Sequence, residues 1–369
     1  MFKRFLDVRM DITNFCNLKC IMCYSTYANI NPEFMNMDLF NKISNEIFPK
    51  TRVLILSWAT EPLLHKNIVD MLLIAKKKHK IPQVSIGTNG TLLTKELTQE
   101  FTSDILDKLY ISIDAANKEK YEEIRIGARY ERFIENLEYL NDYKRKHNLK
   151  KPRLVFNFVM MNKNISELPD YVDLVHRLGG KEINAWEMEI QPEYLALVEK
   201  LKKGLINEED RKLIERLNLN GEIISLKDKK VIEVIIEAQN RARKFGIYLY
   251  APCINDYAKW KWLLSRISGK IINLELYSMF SFLVNMMLLK ISKPGILCYE
   301  PWHRIVISAN GDVQPCCSWS LQPLGSFKNQ SFDEIWNGNA YKKLREALTI
   351  GKPPDICKKC TISTKARTS

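Results

Sequence analysis

The sequence predicts an α/β protein, an open or partial (β/α)6 barrel, followed by a helical insert and a small cysteine-bearing C-terminal domain. Three observations carry this. Six short β-branched or apolar runs alternate with amphipathic helical patterns through the first half of the chain, the mark of parallel βα units. From about Pro192 the strand signal gives way to Lys-, Glu- and Leu-rich helical periodicity. A turn-rich segment with clustered cysteines then closes the chain from about Gly295.

The predicted strands are residues 8–13, 52–57, 82–87, 108–113, 153–160 and 181–188. Helical patterns lie between them, for instance over 37–48 and 130–146. In such an architecture functional groups gather where strands end and loops begin. The cysteine run 16–23 follows the first strand, "ATEP" (59–62) the second, "TNG" (88–90) the third and "DAA" (114–116) the fourth. The expected domains are a core over 1–190, a helical insert over 191–295, a C-terminal domain over 296–361 and a flexible tail over 362–369.

With 369 residues, 46% hydrophobic and 27% charged, the composition is that of a soluble globular protein. The 56 Lys and Arg against 43 Asp and Glu leave a net charge of +13, which suits acidic partners such as phosphates, nucleotide sugars, nucleic acid or an anionic membrane surface. The N-terminus has no apolar run of signal-peptide length. Nine cysteines in two clusters, without an export signal, read as metal ligands in a reducing cytoplasm. Residues 259–290 are unusually apolar and begin with a Trp/Lys/Arg cluster; Glu275 argues against a membrane span. Two readings remain: a basic amphipathic helix lying on a membrane surface, or a helical pair facing the core or a second copy.

Cys16, Cys20 and Cys23 are spaced C-x3-C-x2-C in one loop. A structural zinc site needs a fourth ligand, which folding would have to supply from His65 or Cys253. An iron–sulfur cube held by three thiolates instead leaves one iron open, as catalytic metal sites do. Cys253, alone in the insert, reads as a buried apolar residue. Near the C-terminus, "RIVISANGDVQP" (304–315) reads as a hairpin with an Asn-Gly turn, flanked by Cys298 and Cys316. With Cys357 and Cys360 they make a closed set of four thiolates, suited on chemistry alone to zinc or a fully ligated iron–sulfur cluster. Cys317 is left as a spare.

The run Cys16–Cys20–Cys23–Tyr24 resembles the signature of the radical S-adenosylmethionine (radical SAM) enzymes, over roughly residues 5 to 190. The resemblance implies a TIM-like partial barrel and a 4Fe–4S cluster whose open iron binds S-adenosylmethionine (SAM). Reductive cleavage of SAM then gives a 5′-deoxyadenosyl radical that abstracts hydrogen from substrate. By the same likeness Glu61, in a segment where the family has Gly-Gly-Glu-Pro and this chain has Ala59 and Thr60 for the glycines, receives the SAM amino group. Tyr24, Ser112, Asp114 and Arg125 join it as cofactor-binding candidates, although Ser112 and Asp114 also suit a strand end and helix cap, and Arg125 a surface ion pair.

The C-terminal segment resembles the SPASM/twitch extension of that family, with "CYEPW" (298–302), "GDVQPCC" (311–317) and the final C-x2-C. That likeness implies one auxiliary 4Fe–4S cluster held by Cys298, Cys316, Cys357 and Cys360, and an electron donor such as flavodoxin or ferredoxin. A closed auxiliary cluster suits electron transfer, so the expected reaction is net oxidation of a small or carrier-bound molecule. Maturation of a ribosomal peptide by epimerisation or crosslinking is the alternative; a first strand near Val8 leaves no room for a leader-binding domain before it. From a different class, zinc in both clusters would make a nucleic-acid-associated scaffold; no nucleic-acid partner is otherwise expected. The sequence singles out no catalytic acid, base or hydrogen donor.

Overall fold

The computed structural model describes residues 4–57, 59–225, 228–251, 298–317, 322–358 and 360. Cys253 and the 259–290 stretch lie outside the described residues. Twelve strands form among the described residues: β1 (Leu6–Met10), β2 (Lys19–Cys20), β3 (Thr51–Leu56), β4 (Gln83–Thr88), β5 (Lys108–Ser112), β6 (Arg125–Ile126), β7 (Arg153–Met160), β8 (Glu182–Glu187), β9 (Tyr248–Tyr250), β10 (Arg304–Ile307), β11 (Asp312–Gln314) and β12 (Gly325–Ser326). Ten of them make one sheet in the order β12-β11-β10-β1-β3-β4-β5-β7-β8-β9; β2 and β6 pair separately.

All six predicted strands form and run parallel in sequential order. They are Val-, Ile-, Leu- and Phe-rich because a parallel sheet covered by crossover helices buries most of its side chains. Leu6, Val8 and Met10 of β1, with Leu54 and Leu56 of β3, are fully or almost fully buried in the core, against helices such as Met37–Ile47 and Tyr130–Lys146. On the opposite face the alternate residues Arg9, Tyr110, Ser112, Asn157 and Asn184 are half-buried. The carboxyl ends of β1, β3, β4 and β5 therefore hold the four predicted loops around one accessible face.

Two additions to the expected sheet came from beyond its six strands. The helical stretch is helical over Pro192–Lys202, Glu208–Arg216 and Lys229–Lys244, and then returns to the sheet as β9, parallel to β8. Three residues after Gly246 are too few to show a strand pattern. At the other edge the predicted hairpin forms as β10 and β11, turning at Gly311 with φ +87°, and β10 lies parallel to β1. The C-terminal segment thus extends the same sheet. No helix among the described residues is long and apolar enough to cross a membrane.

Candidate functional site

The three N-terminal cysteines follow β1, whose exit is gripped on both sides. Asp11 N donates to Ile307 O (2.8 Å) and Ser57 N to Met10 O (2.7 Å). Inside the loop Cys23 N donates to Cys20 O (3.0 Å), and Thr26 Oγ1 closes on the same carbonyl (2.7 Å). The short β2–β6 ladder sets Cys20 directly opposite Arg125. A second apolar cluster braces the loop from outside: Ile21 and Tyr27 pack with Tyr194 and Leu197 of the helical insert, the Tyr27 and Tyr194 rings 5.2 Å apart.

Each thiol meets a polar neighbour. Cys16 Sγ accepts from Leu18 N (3.5 Å) and Asn89 Nδ2 (3.7 Å), Cys20 Sγ from Arg125 Nη1 (3.8 Å), and Cys23 Sγ lies 3.2 Å from Ser25 Oγ. Burial pushes the free Cys16 thiol up and the Cys20 thiol up to about 12. Bound iron would deprotonate them outright, and donors aimed at sulfur are what an anionic thiolate cluster requires. The residues present fit such a group.

His65, the nearest sequence candidate for a fourth ligand, is occupied elsewhere. Its Nε2 pairs with Met35 O (2.9 Å) and its Nδ1 accepts from Asn67 N (3.1 Å). Among the described residues no three Cys, His, Asp or Glu side chains converge on a point where one metal ion would sit.

Glu61 is buried at the end of the second loop, its carboxylate shared among Thr88 Oγ1 (2.8 Å), Leu63 N (3.0 Å) and Asn89 N (2.7 Å). Burial pushes its carboxyl up to about 7 against these three donors. Ser57, which opens that loop, adopts φ +59°, a left-handed conformation that a non-glycine residue seldom takes. The third loop continues the chain of contacts. Asn89 Nδ2 also donates to Asn17 Oδ1 (2.8 Å), and Asn17 Nδ2 to Thr91 Oγ1 (3.0 Å). Glu61, Asn89, Asn17 and Cys16 therefore form one connected network. Asn89 and Asn17 were not singled out from sequence; the "TNG" turn beside the cysteine loop was the available signal.

Ser112 ends β5 half-buried, its register neighbour Asn157. Tyr24 opens the short helix Tyr24–Tyr27, and burial pushes its phenol well above the ordinary range. Asp114 and Arg125 lie deeper. Arg125 Nη2 stands 2.6 Å from Asp114 Oδ2, and Val159 N donates to Asp114 Oδ1 (2.8 Å). Burial opposes the charge on Arg125, yet Asp114 and Cys20 beside it hold the guanidinium protonated.

At the C-terminal end Cys298, Cys357 and Cys360 lie within electrostatic reach of one another, and burial raises the first two thiols. Cys316, just beyond β11, lies near the buried Tyr341 ring. Cys317 Sγ accepts from Arg9 Nη1 of β1.

A parallel sheet whose carboxyl-end loops carry thiols and sulfur-directed donors is the frame of a metallocofactor enzyme. Residues 10–175 match the radical SAM superfamily and residues 298–361 the SPASM iron–sulfur cluster-binding domain. The chain thus carries a region that matches the radical SAM superfamily and, at its C-terminal end, one that matches the SPASM domain; the first implies a 4Fe–4S cluster and SAM, the second auxiliary iron–sulfur. It is 30% identical over 176 residues to the tungsten-containing aldehyde ferredoxin oxidoreductase cofactor-modifying protein of Pyrococcus furiosus, covering 46% of this chain and 48% of that one. The chain thus matches about half the length of the first curated relatives. With the AdoMet-dependent heme synthase of Methanosarcina barkeri it shares 21% identity over 365 residues, 98% of this chain and 91% of the relative. The fold is also that of Streptococcus suis SuiB, solved with the precursor peptide SuiA (TM-score 0.60, 15% identity, 97% of this chain and 71% of SuiB).

Proposed function

We propose that this protein reductively cleaves SAM and removes a hydrogen atom from a small or carrier-bound molecule, which is oxidised overall. The observation that carries the reading is the contrast between the two cysteine sites. Three thiols in the N-terminal loop suit a centre with an open position, and four C-terminal cysteines suit a closed one. When bound, the N-terminal centre and SAM supply a 5′-deoxyadenosyl radical. Cys16, Cys20 and Cys23 hold that centre, while Asn89 and Ser25 steady the sulfurs. Tyr24, Glu61 and Ser112 are the residues proposed to receive SAM, and Glu61 also fixes the "TNG" loop by accepting from Asn89 N. The four C-terminal cysteines would hold an auxiliary iron–sulfur cluster, which could accept the second electron.

A second reading, peptide maturation, is favoured by the accessible face of β7 and β8. Asn184 Nδ2 donates to Asn157 Oδ1 (3.1 Å), which leaves this amide pair further donors and acceptors with which to meet a peptide group. SuiB, which shares the fold, was solved with a precursor peptide. Anaerobic reconstitution followed by dithionite and SAM tests the core of the proposal: 5′-deoxyadenosine forms. Its absence in fully reconstituted protein overturns the assignment.

A further inference from the structure

Arg125 is an expensive residue in its position. It is 6% exposed, and its partner Asp114 is fully buried. Burying such a pair costs several kcal/mol of desolvation per ion, and apolar replacements are often as stable or more so. The pair therefore calls for a use beyond packing.

Its setting supplies one. The two-residue ladder β2–β6 makes Cys20 and Arg125 register partners, so the backbone itself aims the guanidinium at the sulfur. Nη1 donates to Cys20 Sγ (3.8 Å), and Nη2 meets Asp114 Oδ2 (2.6 Å). Nε is buried with no hydrogen-bond partner among the described residues. Asp114 is fixed in turn: Val159 N donates to its carboxylate (2.8 Å), and Asn164 Nδ2 to its main-chain carbonyl (2.8 Å). The cation is thus clamped between a carboxylate and a metal-ligand sulfur, in an environment of low polarity where charges act strongly.

We infer that Arg125 sets the reduction potential of the N-terminal iron–sulfur centre and that Asp114 limits how far it does so. The inference rests on the radical SAM assignment and assigns this pair to the sulfur side of the site. Two levers act in the same direction. An N–H directed at a ligand sulfur withdraws electron density from it, and a nearby positive charge stabilises the added electron; both raise the potential. Asp114 opposes them.

The test is a redox titration of the full, anaerobically reconstituted protein without SAM, followed by electron paramagnetic resonance. The signal that later SAM addition perturbs identifies the N-terminal centre, and the C-terminal centre is the internal control. Arg125→Gln shifts the N-terminal midpoint to more negative values. Asp114→Asn shifts it to more positive values, and Arg125→Lys, which keeps the charge and loses the fork, falls between wild type and Arg125→Gln. A merely structural pair does not produce opposite shifts. Wild-type midpoints in both variants, or shifts of the same sign, overturn the inference. Weaker SAM binding in Arg125→Gln at an unchanged midpoint also overturns it, in favour of a direct SAM contact. If Arg125→Gln does not fold, Arg125→Lys and Asp114→Asn still have to shift in opposite directions. Reconstituted wild type with no SAM-sensitive signal refutes the parent assignment instead.

Discussion

At the scale of the residue, Glu61 shows how a predicted cofactor residue is also a structural one. Its carboxyl has an ordinary value of 4.5 and is pushed up to about 7, chiefly by burial. A group whose folded value is raised contributes stability that is fully present below 4.5 and lost as pH rises through 7. At about 1.4 kcal/mol per pH unit, the loss is on the order of 3 kcal/mol. Urea unfolding of the apo-protein at pH 5 and pH 8 checks this, with Glu61→Gln as the non-titrating reference. The wild type loses about 3 kcal/mol more than the variant between the two pH values; equal losses refute it. The sequence singles out the seven clustered cysteines by spacing and residue type, and Glu61 by the family resemblance. Asn17, Asn89 and the Arg125–Cys20 contact are not singled out, since hydrogen bonds across 72 to 105 residues leave no local pattern.

Elements were legible in proportion to their length. The eight-residue β7 and the 17-residue helix Tyr130–Lys146 lie where the sequence places them, since long periodic runs commit to one structure. The three residues of β9 and the two each of β2 and β6 went unnoticed, because pairing rather than propensity makes them strands. The turn after β4 gives a prediction at this scale. Gly90 adopts φ +75°, and an added Cβ would lie 2.9 Å from the Phe133 ring. Gly90→Ala therefore meets both a left-handed backbone penalty of about 1–2 kcal/mol and an overpacking cost of about 1–3 kcal/mol. Thermal unfolding reads the sum. Because Asn89 precedes this turn and reaches Cys16, iron retention after reconstitution falls as well, which a remote destabilising change of equal size does not cause.

For the whole molecule, β10 of the C-terminal segment is paired with β1 along the full run of its strand. A parallel pairing between residues about 300 apart cannot be seen in local composition. Its consequence is that the two cysteine sites share one sheet, so losing the C-terminal metal and losing the C-terminal strand are different perturbations. Cys357→Ala with Cys360→Ala leaves β10 in place; iron drops from about eight to about four per chain, and dithionite-driven SAM cleavage continues while substrate turnover stops. Ile307→Ala removes a fully buried side chain beside Met10 and costs about 2–5 kcal/mol. Because Ile307 O also accepts from Asp11 N at the mouth of the cysteine loop, strand damage reaches the N-terminal site. Ile307→Ala therefore lowers 5′-deoxyadenosine formation although no ligand is touched, and chemical unfolding shows a single destabilised transition for both ends of the chain. Two transitions, with the N-terminal one unchanged, would show the C-terminal segment to be an independent domain.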